Sequence, residues 1–192
     1  MADERYVPNA TGRLRKVLLC PPDYFSFQPI NEITRGVLAR GEQPDPTAFR
    51  REHAELVQAY RAAGVEVVLI EPDLGLPYMV YARDFGACLA EGALIGSFRE
   101  PVRQGEDLLY EAKVRALGVP VIGRVTRGSF EGGDFWLLDE ATVVHGVAAR
   151  TDWEGLRCAQ GILEPLGYTV RGVQIASKPC VSANRAPSSS RR

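Results

Sequence analysis

Apolar positions in this chain switch between a helical spacing and short continuous runs, and the switch recurs. Residues 65–70 and 168–173 are short apolar runs typical of buried strands, and each follows a stretch with apolar residues at helical spacing. The helical stretches end at Gly64, Gly118 and Gly167, which lie roughly fifty residues apart. This recurrence predicts a repeated helix-to-strand unit.

A β-hairpin is predicted before the second and third helices, so the full unit is strand, strand, helix, strand. The predicted elements are strand 14–20, helix 46–63, strand 65–70, hairpin 81–96, helix 101–117, strand 119–122, hairpin 135–147, helix 151–166 and strand 168–173. Asp45 before Pro46 is typical of a helix start, and Thr151 with Glu154 has the spacing of a capping box. A single α+β sheet would give the same order by chance and remains the alternative.

The composition is that of an ordinary globular protein and argues against several classes of function. Of 192 residues, 45% are hydrophobic and 24% are charged, and the formal net charge is -1. Because no broad basic face is implied, nucleic acid is not an expected partner. No apolar run approaches the ~20 residues of a membrane helix, and the N-terminus lacks the apolar stretch of a signal peptide. We therefore expect no membrane contact and a cytoplasmic location.

Domain organisation and cysteine usage add further expectations. We expect one domain over residues 1–175, because the repeated pattern stops there, and a Ser-, Arg- and Pro-rich tail over 176–192 that is disordered or out of frame. The four cysteines are scattered without a C-x-x-C pair, which indicates neither a zinc site nor a disulfide framework. A third unit left open on one side would favour homo-oligomer formation.

Carboxylates occur at the mouths of the two hairpins, where apolar strand residues would be expected. The sequence Tyr-Ala-Arg-Asp ends at Asp84, and Glu-Gly-Gly-Asp runs from Glu131 to Asp134. If these strand ends converge, the carboxylates repel one another unless a cation lies between them, and a planar guanidinium suits that position. The alternatives are a surface ion pair of Asp84 with Arg83 and an ordinary turn at the paired glycines.

Two arginines follow the hairpins at matching places. Arg103 comes just after the second hairpin and Arg150 just after the third, and Arg99 competes for the first position. Such a pair could clamp a carboxylate, although either residue taken singly is more often a solvated surface group. Together with the acidic residues, they favour a small ligand that has a cationic end and an anionic end.

Residues 14–173 resemble the guanidino-group-modifying superfamily, the penteins, which includes arginine deiminases, dimethylarginine dimethylaminohydrolases and amidinotransferases. The resemblance depends on the two acidic motifs, on the stretch 103–106, and on Arg150 with Thr151 opening a helix. It implies an α/β propeller of five strand-strand-helix-strand units, of which this chain would hold about three.

The resemblance also implies roles for single residues. Asp84 would hydrogen-bond the guanidino group, and Asp134 would be a further substrate-binding residue. Glu131, the catalytic residue present in this chain, would contact the guanidino nitrogens and orient a catalytic histidine. Arg103 and Arg150 would bind the α-carboxylate of the substrate. In the family a cysteine thiolate attacks the guanidino carbon and a histidine transfers protons, without metal or organic cofactor.

This chain departs from the family pattern at the catalytic residues. Neither histidine lies where the family has one, since His53 is expected on a solvated helix face and His145 within a hairpin strand. Cys20 and Cys88 are expected to be buried structural thiols, Cys158 lies in a helix, and Cys180 falls in the tail. Tyr78 stands where the dimethylarginine enzymes have an aspartate, so the particular guanidino substrate stays open.

The function expected from these features is hydrolysis at the guanidino group of arginine or a methylated arginine, with transferase chemistry still open. We expect residues 1–192 alone to be inactive, because they lack the cysteine and histidine of the family. A catalytically silent protein that binds a guanidino compound is the alternative. A nucleotide-binding doubly wound domain is disfavoured, because no strand is followed by a glycine-rich loop that opens a helix.

Overall fold

Three small open sheets and four helices form the α/β structure in the computed structural model, which describes residues 6–9 and 11–176. The strands are β1 (Lys16–Leu19), β2 (Glu66–Leu69), β3 (Gly86–Leu89), β4 (Gly92–Ile95), β5 (Val121–Arg124), β6 (Phe135–Leu137), β7 (Thr142–Val147) and β8 (Thr169–Gln174). The helices are α1 (Glu32–Ala39), α2 (Pro46–Ala62), α3 (Glu106–Ala116) and α4 (Trp153–Leu163).

The second and third sheets have the same topology. β3 pairs antiparallel with β4, and β4 pairs parallel with β5 after the crossover through α3. β6, β7, α4 and β8 repeat this arrangement, so the predicted strand-strand-helix-strand order is confirmed for these two units. In the described chain the first sheet has only β1 and β2, which are parallel. The number of units in a complete propeller stays a prediction.

The three glycines at which the predicted helices end take the left-handed conformation that the sequence predicts for them. Their φ angles are 75° at Gly64, 73° at Gly118 and 96° at Gly167, a region that costs a residue with a Cβ atom more than it costs glycine. The residue after each glycine donates its backbone N–H to the carbonyl five positions back, at 3.0, 3.0 and 3.3 Å. Each helix is thereby closed and the chain is redirected into the next strand.

Two predictions about helix boundaries were wrong. The helix predicted over 101–117 is a short 3-10 turn, Pro101–Arg103, followed by α3, because Gly105 breaks the helix with a φ of 103°. The capping box of Thr151 is also absent. Asp152 caps α4 instead, and its carboxylate accepts a hydrogen bond from the Gly155 N–H at 2.8 Å.

A further helix, α1, lies in the long loop predicted after the first strand. Asn31 caps it by accepting a hydrogen bond from the Thr34 N–H at 2.8 Å. Ile33, Val37 and Leu38 have the spacing of one helix face, although none of the residues of α1 is buried. α2 begins as predicted, with Asp45 as its cap and Pro46 at its first position.

Two hydrophobic clusters share β4 as their boundary. Leu94 faces the cluster formed with the third sheet and α4, whereas Ala93 and Ile95 face the cluster formed with α3 and the first sheet. β4 is therefore buried on both faces.

The predicted tail over 176–192 lies outside the described residues except for Ala176. Within the described ranges, no helix is both long and apolar enough to cross a membrane.

Candidate active site

A cavity of about 440 Å³ brings together all five residues that the sequence singled out. Its volume falls within the ~300–1,000 Å³ typical of small-molecule sites. The lining residues are Phe27, Ile30, Asn31, Thr34, Tyr78, Tyr81, Asp84, Arg103, Glu131, Gly133, Asp134 and Arg150. The acidic residues and arginines come from the second and third units, whereas the loop before α1 and its first turn supply apolar and neutral polar groups.

The two acidic motifs meet because each forms a 3-10 turn just before a strand, over Ala82–Phe85 and Gly132–Asp134. A Cβ atom on Gly132 would lie 1.9 Å from the Gly86 carbonyl oxygen, and one on Gly133 would lie 2.5 Å from Asp84 Oδ1. Both distances are far below van der Waals contact. Gly132 is therefore needed for the two turns to pack together, because its Cβ atom would meet backbone, whereas a Cβ atom on Gly133 would displace the Asp84 carboxylate. This packing brings Asp84 beside the acidic residues of the second motif.

The guanidinium of Arg103 lies within this acidic cluster, and its side chain is 5% exposed. Nε and Nη2 donate to the Glu106 carboxylate at 3.2 and 2.8 Å. Nη1 donates to Asp84 Oδ2 at 2.6 Å and to Glu131 Oε2 at 3.4 Å, and Nη2 donates to the Tyr81 carbonyl oxygen at 3.3 Å. A guanidinium has about five N–H donors, and these contacts engage all of them.

The predicted role of Arg103 as a ligand for a substrate carboxylate stays a prediction, because its donors are directed at protein oxygens in this structure. One face of its guanidinium also packs on the Phe98 ring, 4.1 Å from the centroid. Glu106 is fully buried; it was included in the stretch 103–106 of the sequence but was given no place in the cluster. Its spacing of three residues from Arg103 is the signal that could have found it.

Glu131 is the most perturbed acidic residue of the pocket. Burial raises its pKa to about 7, although the positive charge of Arg103 opposes the shift. Its Oε1 atom is buried and has no hydrogen-bond partner among the described residues. Burial also raises the pKa of Asp134. The cluster therefore offers an acceptor that lacks a donor, which a bound cation with N–H groups would satisfy.

Arg150 supplies positive charge to the same cavity. Its Nη1 lies 2.8 Å from Glu100 Oε1, and its side chain remains 30% exposed. Its charge is among the influences that lower the pKa of Glu131 and Asp134 against the larger effect of burial. Unlike Arg103, it is partly accessible to a ligand.

Aromatic rings form another wall of the cavity. Phe27, Tyr78 and Tyr81 line it, and Phe25 contacts both tyrosines, with ring centroids 5.8 and 5.9 Å apart. The Tyr78 hydroxyl accepts a hydrogen bond from the Gln28 N–H at 3.0 Å. Tyr78 thus holds the loop before α1 over the pocket. From the sequence, Tyr78 was noted only as a replacement for the aspartate of the dimethylarginine enzymes.

In the described part of the chain, the lining of this cavity contains neither cysteine nor histidine. Cys20 is buried as predicted, and burial raises its pKa to about 12. The prediction that Cys88 is buried was wrong, because alternate residues of β3 face opposite sides and Cys88 is on the exposed side. His53 is half-buried rather than solvated, and Cys180 lies outside the described residues.

The family model for N,N dimethylarginine dimethylhydrolase (eukaryotic) matches residues 21–180, and the chain belongs to this family. The N(G),N(G)-dimethylarginine dimethylaminohydrolase of Mycobacterium tuberculosis is 32% identical over 147 residues, which are 74% of this chain and 45% of that enzyme. An uncharacterized protein of Bacillus subtilis, YkgA, is 32% identical over 167 residues, 87% of this chain and 57% of that protein. The chain spans about half the length of the curated relatives it matches.

The fold is also found in solved structures of the family. A crystal structure of a dimethylarginine dimethylaminohydrolase adduct with 4-chloro-2-hydroxymethylpyridine has a TM-score of 0.69 and 24% identity. The match covers 85% of this chain and 61% of that one. The resemblance to the pentein superfamily that the acidic motifs indicated is thereby confirmed.

Proposed function

We propose that this protein acts on the guanidino group of arginine or a methylated arginine, and that the acidic cavity is where such a compound binds. The observation that carries the proposal is the buried Glu131 Oε1 atom, which has no hydrogen-bond partner among the described residues. A guanidinium is a planar cation with several N–H donors, so it offers the charge and the donors that this oxygen requires. Membership of the dimethylarginine dimethylhydrolase family supports the same ligand class.

The two ends of an arginine-like ligand would meet different residues. Its guanidinium would contact the carboxylates of Asp84, Glu131 and Asp134, which line one cavity. Its α-carboxylate would contact Arg150, which is partly exposed. Arg103 lines the cavity too and remains a candidate for the same carboxylate, provided that ligand binding draws part of its guanidinium away from the acidic cluster.

Glu131 is suited to proton transfer as well as to binding. With a pKa near 7, a carboxyl group is about half protonated at neutral pH, so it can accept or release a proton without a large energetic cost. A bound guanidinium would favour the ionised form of Glu131 and lower its pKa. In the family, attack on the guanidino carbon is the task of a cysteine thiolate. The described lining contains no thiol, so the residues in hand are proposed to bind and orient the substrate.

The proposed coupling between the ligand and Glu131 can be measured by calorimetry. Arginine is titrated into the full chain at pH 7 in buffers that differ in ionisation enthalpy. We expect net proton release on binding, because the raised pKa leaves Glu131 partly protonated before the ligand binds. The Glu131→Gln variant should release fewer protons than the wild type. Proton release that is zero in the wild type, or unchanged in the variant, would contradict the assignment.

A catalytically silent guanidino-binding protein is the second candidate. It is favoured by the absence of cysteine and histidine from the described lining of the cavity. A turnover assay separates the two candidates: the purified chain is incubated with arginine and with dimethylarginine, and the formation of citrulline is followed. Citrulline formation would establish the hydrolase and exclude the silent protein, whereas binding without citrulline agrees with the silent protein and also with the inactivity expected of residues 1–192 alone.

A further inference from the structure

The hydroxyl group of Thr151 is a buried junction between residues of the acidic cavity. Thr151 is 0% exposed. Its Oγ1 atom receives the Glu131 backbone N–H at 3.2 Å, donates to Asp134 Oδ2 at 3.0 Å, and lies 3.1 Å from His145 Nε2. One oxygen therefore connects the main chain of one acidic residue, the carboxylate of a second, and a buried imidazole.

The proton positions in this junction follow from counting donors. A hydroxyl has one hydrogen, and Asp134 as a carboxylate is an acceptor only, so the hydrogen of Thr151 lies toward Asp134. His145 must then carry a proton on Nε2 and donate it to Thr151. The other ring nitrogen, Nδ1, is buried without a partner among the described residues, which fits an unprotonated nitrogen of a neutral imidazole.

The imidazole is held firmly in this orientation. His145 is 0% exposed in β7 and stacks on the Phe130 ring, with centroids 4.0 Å apart and an interplanar angle of 15°. Phe135, its partner across the strand pair, packs against the same imidazole with its centroid 6.2 Å away. Phe130 is itself fixed to the second unit by two backbone hydrogen bonds with Ser97, at 2.8 and 2.9 Å. Rotation of the imidazole would break these contacts.

We propose that Thr151 and His145 are positioning residues, which fix the Asp134 carboxylate and the Glu131 main chain so that both acidic residues face the guanidino group. His145 acts as a neutral donor to Thr151 and transfers no proton to the substrate. Thr151 donates to Oδ2 of Asp134, so the N–H of a ligand would meet Oδ1. This inference rests on the proposed function for the role of Asp134, but the hydrogen-bond network itself can be tested without any ligand.

The first test is the state of His145 in the free protein, by nitrogen NMR of histidine-labelled full chain. We expect the neutral tautomer with the proton on Nε2, persisting below the pH at which an ordinary histidine becomes charged. Free histidine under the same conditions serves as the comparison, because partial burial also lowers the pKa of His53. A proton on Nδ1 of His145 would overturn the network and hence the proposal, whatever the protein binds.

The second test separates positioning from simple stability. Arginine and citrulline, which has a neutral group in place of the guanidinium, are titrated into Thr151→Ser, Thr151→Val and His145→Phe variants. Thr142→Val, in the same strand as His145, is the control. We expect the serine variant and the control to bind arginine within about threefold of the wild type. The valine and phenylalanine variants should lose about tenfold in affinity and most of their preference for arginine over citrulline.

Each outcome of the titration bears on one claim. If the Thr151→Val and His145→Phe variants are less stable to urea but keep the wild-type affinity and preference, the two residues are merely structural and the proposal is overturned. If Thr151→Val does not fold, His145→Phe still decides the matter, with Thr151→Ser as the variant expected to behave like the wild type. If the wild type shows no preference for arginine over citrulline, the proposed function and the role of Asp134 are both wrong. The hydrogen-bond network of Thr151 and His145 is then tested by the NMR measurement alone.

Discussion

Replacing Arg103 by methionine should strongly destabilise the protein, because it removes the cation from a buried acidic cluster. Methionine keeps a long apolar stem that can pack near Phe98, so the change removes mainly the charge and its donors. The carboxylates of Glu106 and Glu131, 0% and 5% exposed, would lose their ion pair with Arg103, as would Asp84 at 22%. Breaking a buried ion pair from one side typically costs ~3–5 kcal/mol.

That loss is a large part of the ~5–15 kcal/mol by which a typical domain is stable. Urea unfolding at pH 7, followed by circular dichroism, measures it directly. The control is Arg51→Met, which removes an ion pair with Glu55 at 3.8 Å between side chains that are 67% and 70% exposed. Exposed pairs of this kind contribute ~0–1 kcal/mol.

Acid should partly rescue the Arg103→Met variant. Without Arg103, burial raises the pKa of the remaining carboxyl groups, so the folded state holds protons that the unfolded state has released. The destabilisation should therefore be greatest at neutral pH and should shrink toward pH ~4, and adding Glu106→Gln should restore part of the loss at pH 7. If Arg103→Met costs less than ~1 kcal/mol, as Arg51→Met does, the cluster is not held together by its buried cation.

Other outcomes test the titrating groups, the rim of the cavity and the third unit. Glu131, whose pKa is raised from 4.5 to about 7, should lose stability as pH rises through that range, whereas His145, whose pKa is lowered from 6.5 to about 4, should lose it as pH falls. These slopes oppose each other, so Glu131→Gln should expose the histidine slope in urea titrations at several pH values. Arg150→Ala should weaken arginine binding about tenfold or more but leave binding of agmatine, which has no carboxylate, unchanged in calorimetry. Trp136, 54% exposed on β6, should support self-association, and Trp136→Glu should reduce it in sedimentation velocity.

The features that could be predicted from the sequence are those that depend on neighbouring residues. Gly64 and Gly118 stop their helices because a left-handed residue closes the last turn, and this requirement is visible in the sequence alone. The two hairpins were likewise indicated by pairs of short strand-like runs joined by a turn. α1 was missed although Ile33, Val37 and Leu38 have helical spacing, because its eight residues are fewer than the window over which such spacing is judged.

The interior of the candidate site could be predicted only in part, because distant residues meet there. The motifs were found through their unusual carboxylates and glycines, but the contacts of Arg103 with residues 19 and 28 positions away depend on the fold. Thr151 was assigned to a helix cap, because it lies at the start of a helix and has Glu154 three residues later. The structure instead uses Asp152 as the cap and turns the Thr151 hydroxyl inward.

The central claim is that the acidic cavity recognises a guanidinium while Arg150 recognises a carboxylate, and one set of calorimetric titrations tests it most directly. Arginine, citrulline and agmatine are titrated into the full wild-type chain under identical conditions. Arginine should bind at least about tenfold more tightly than either analogue, because citrulline lacks the cation and agmatine lacks the anion. Citrulline binding as tightly as arginine would contradict the account, because the carboxylates around Glu131 would then contribute nothing to recognition.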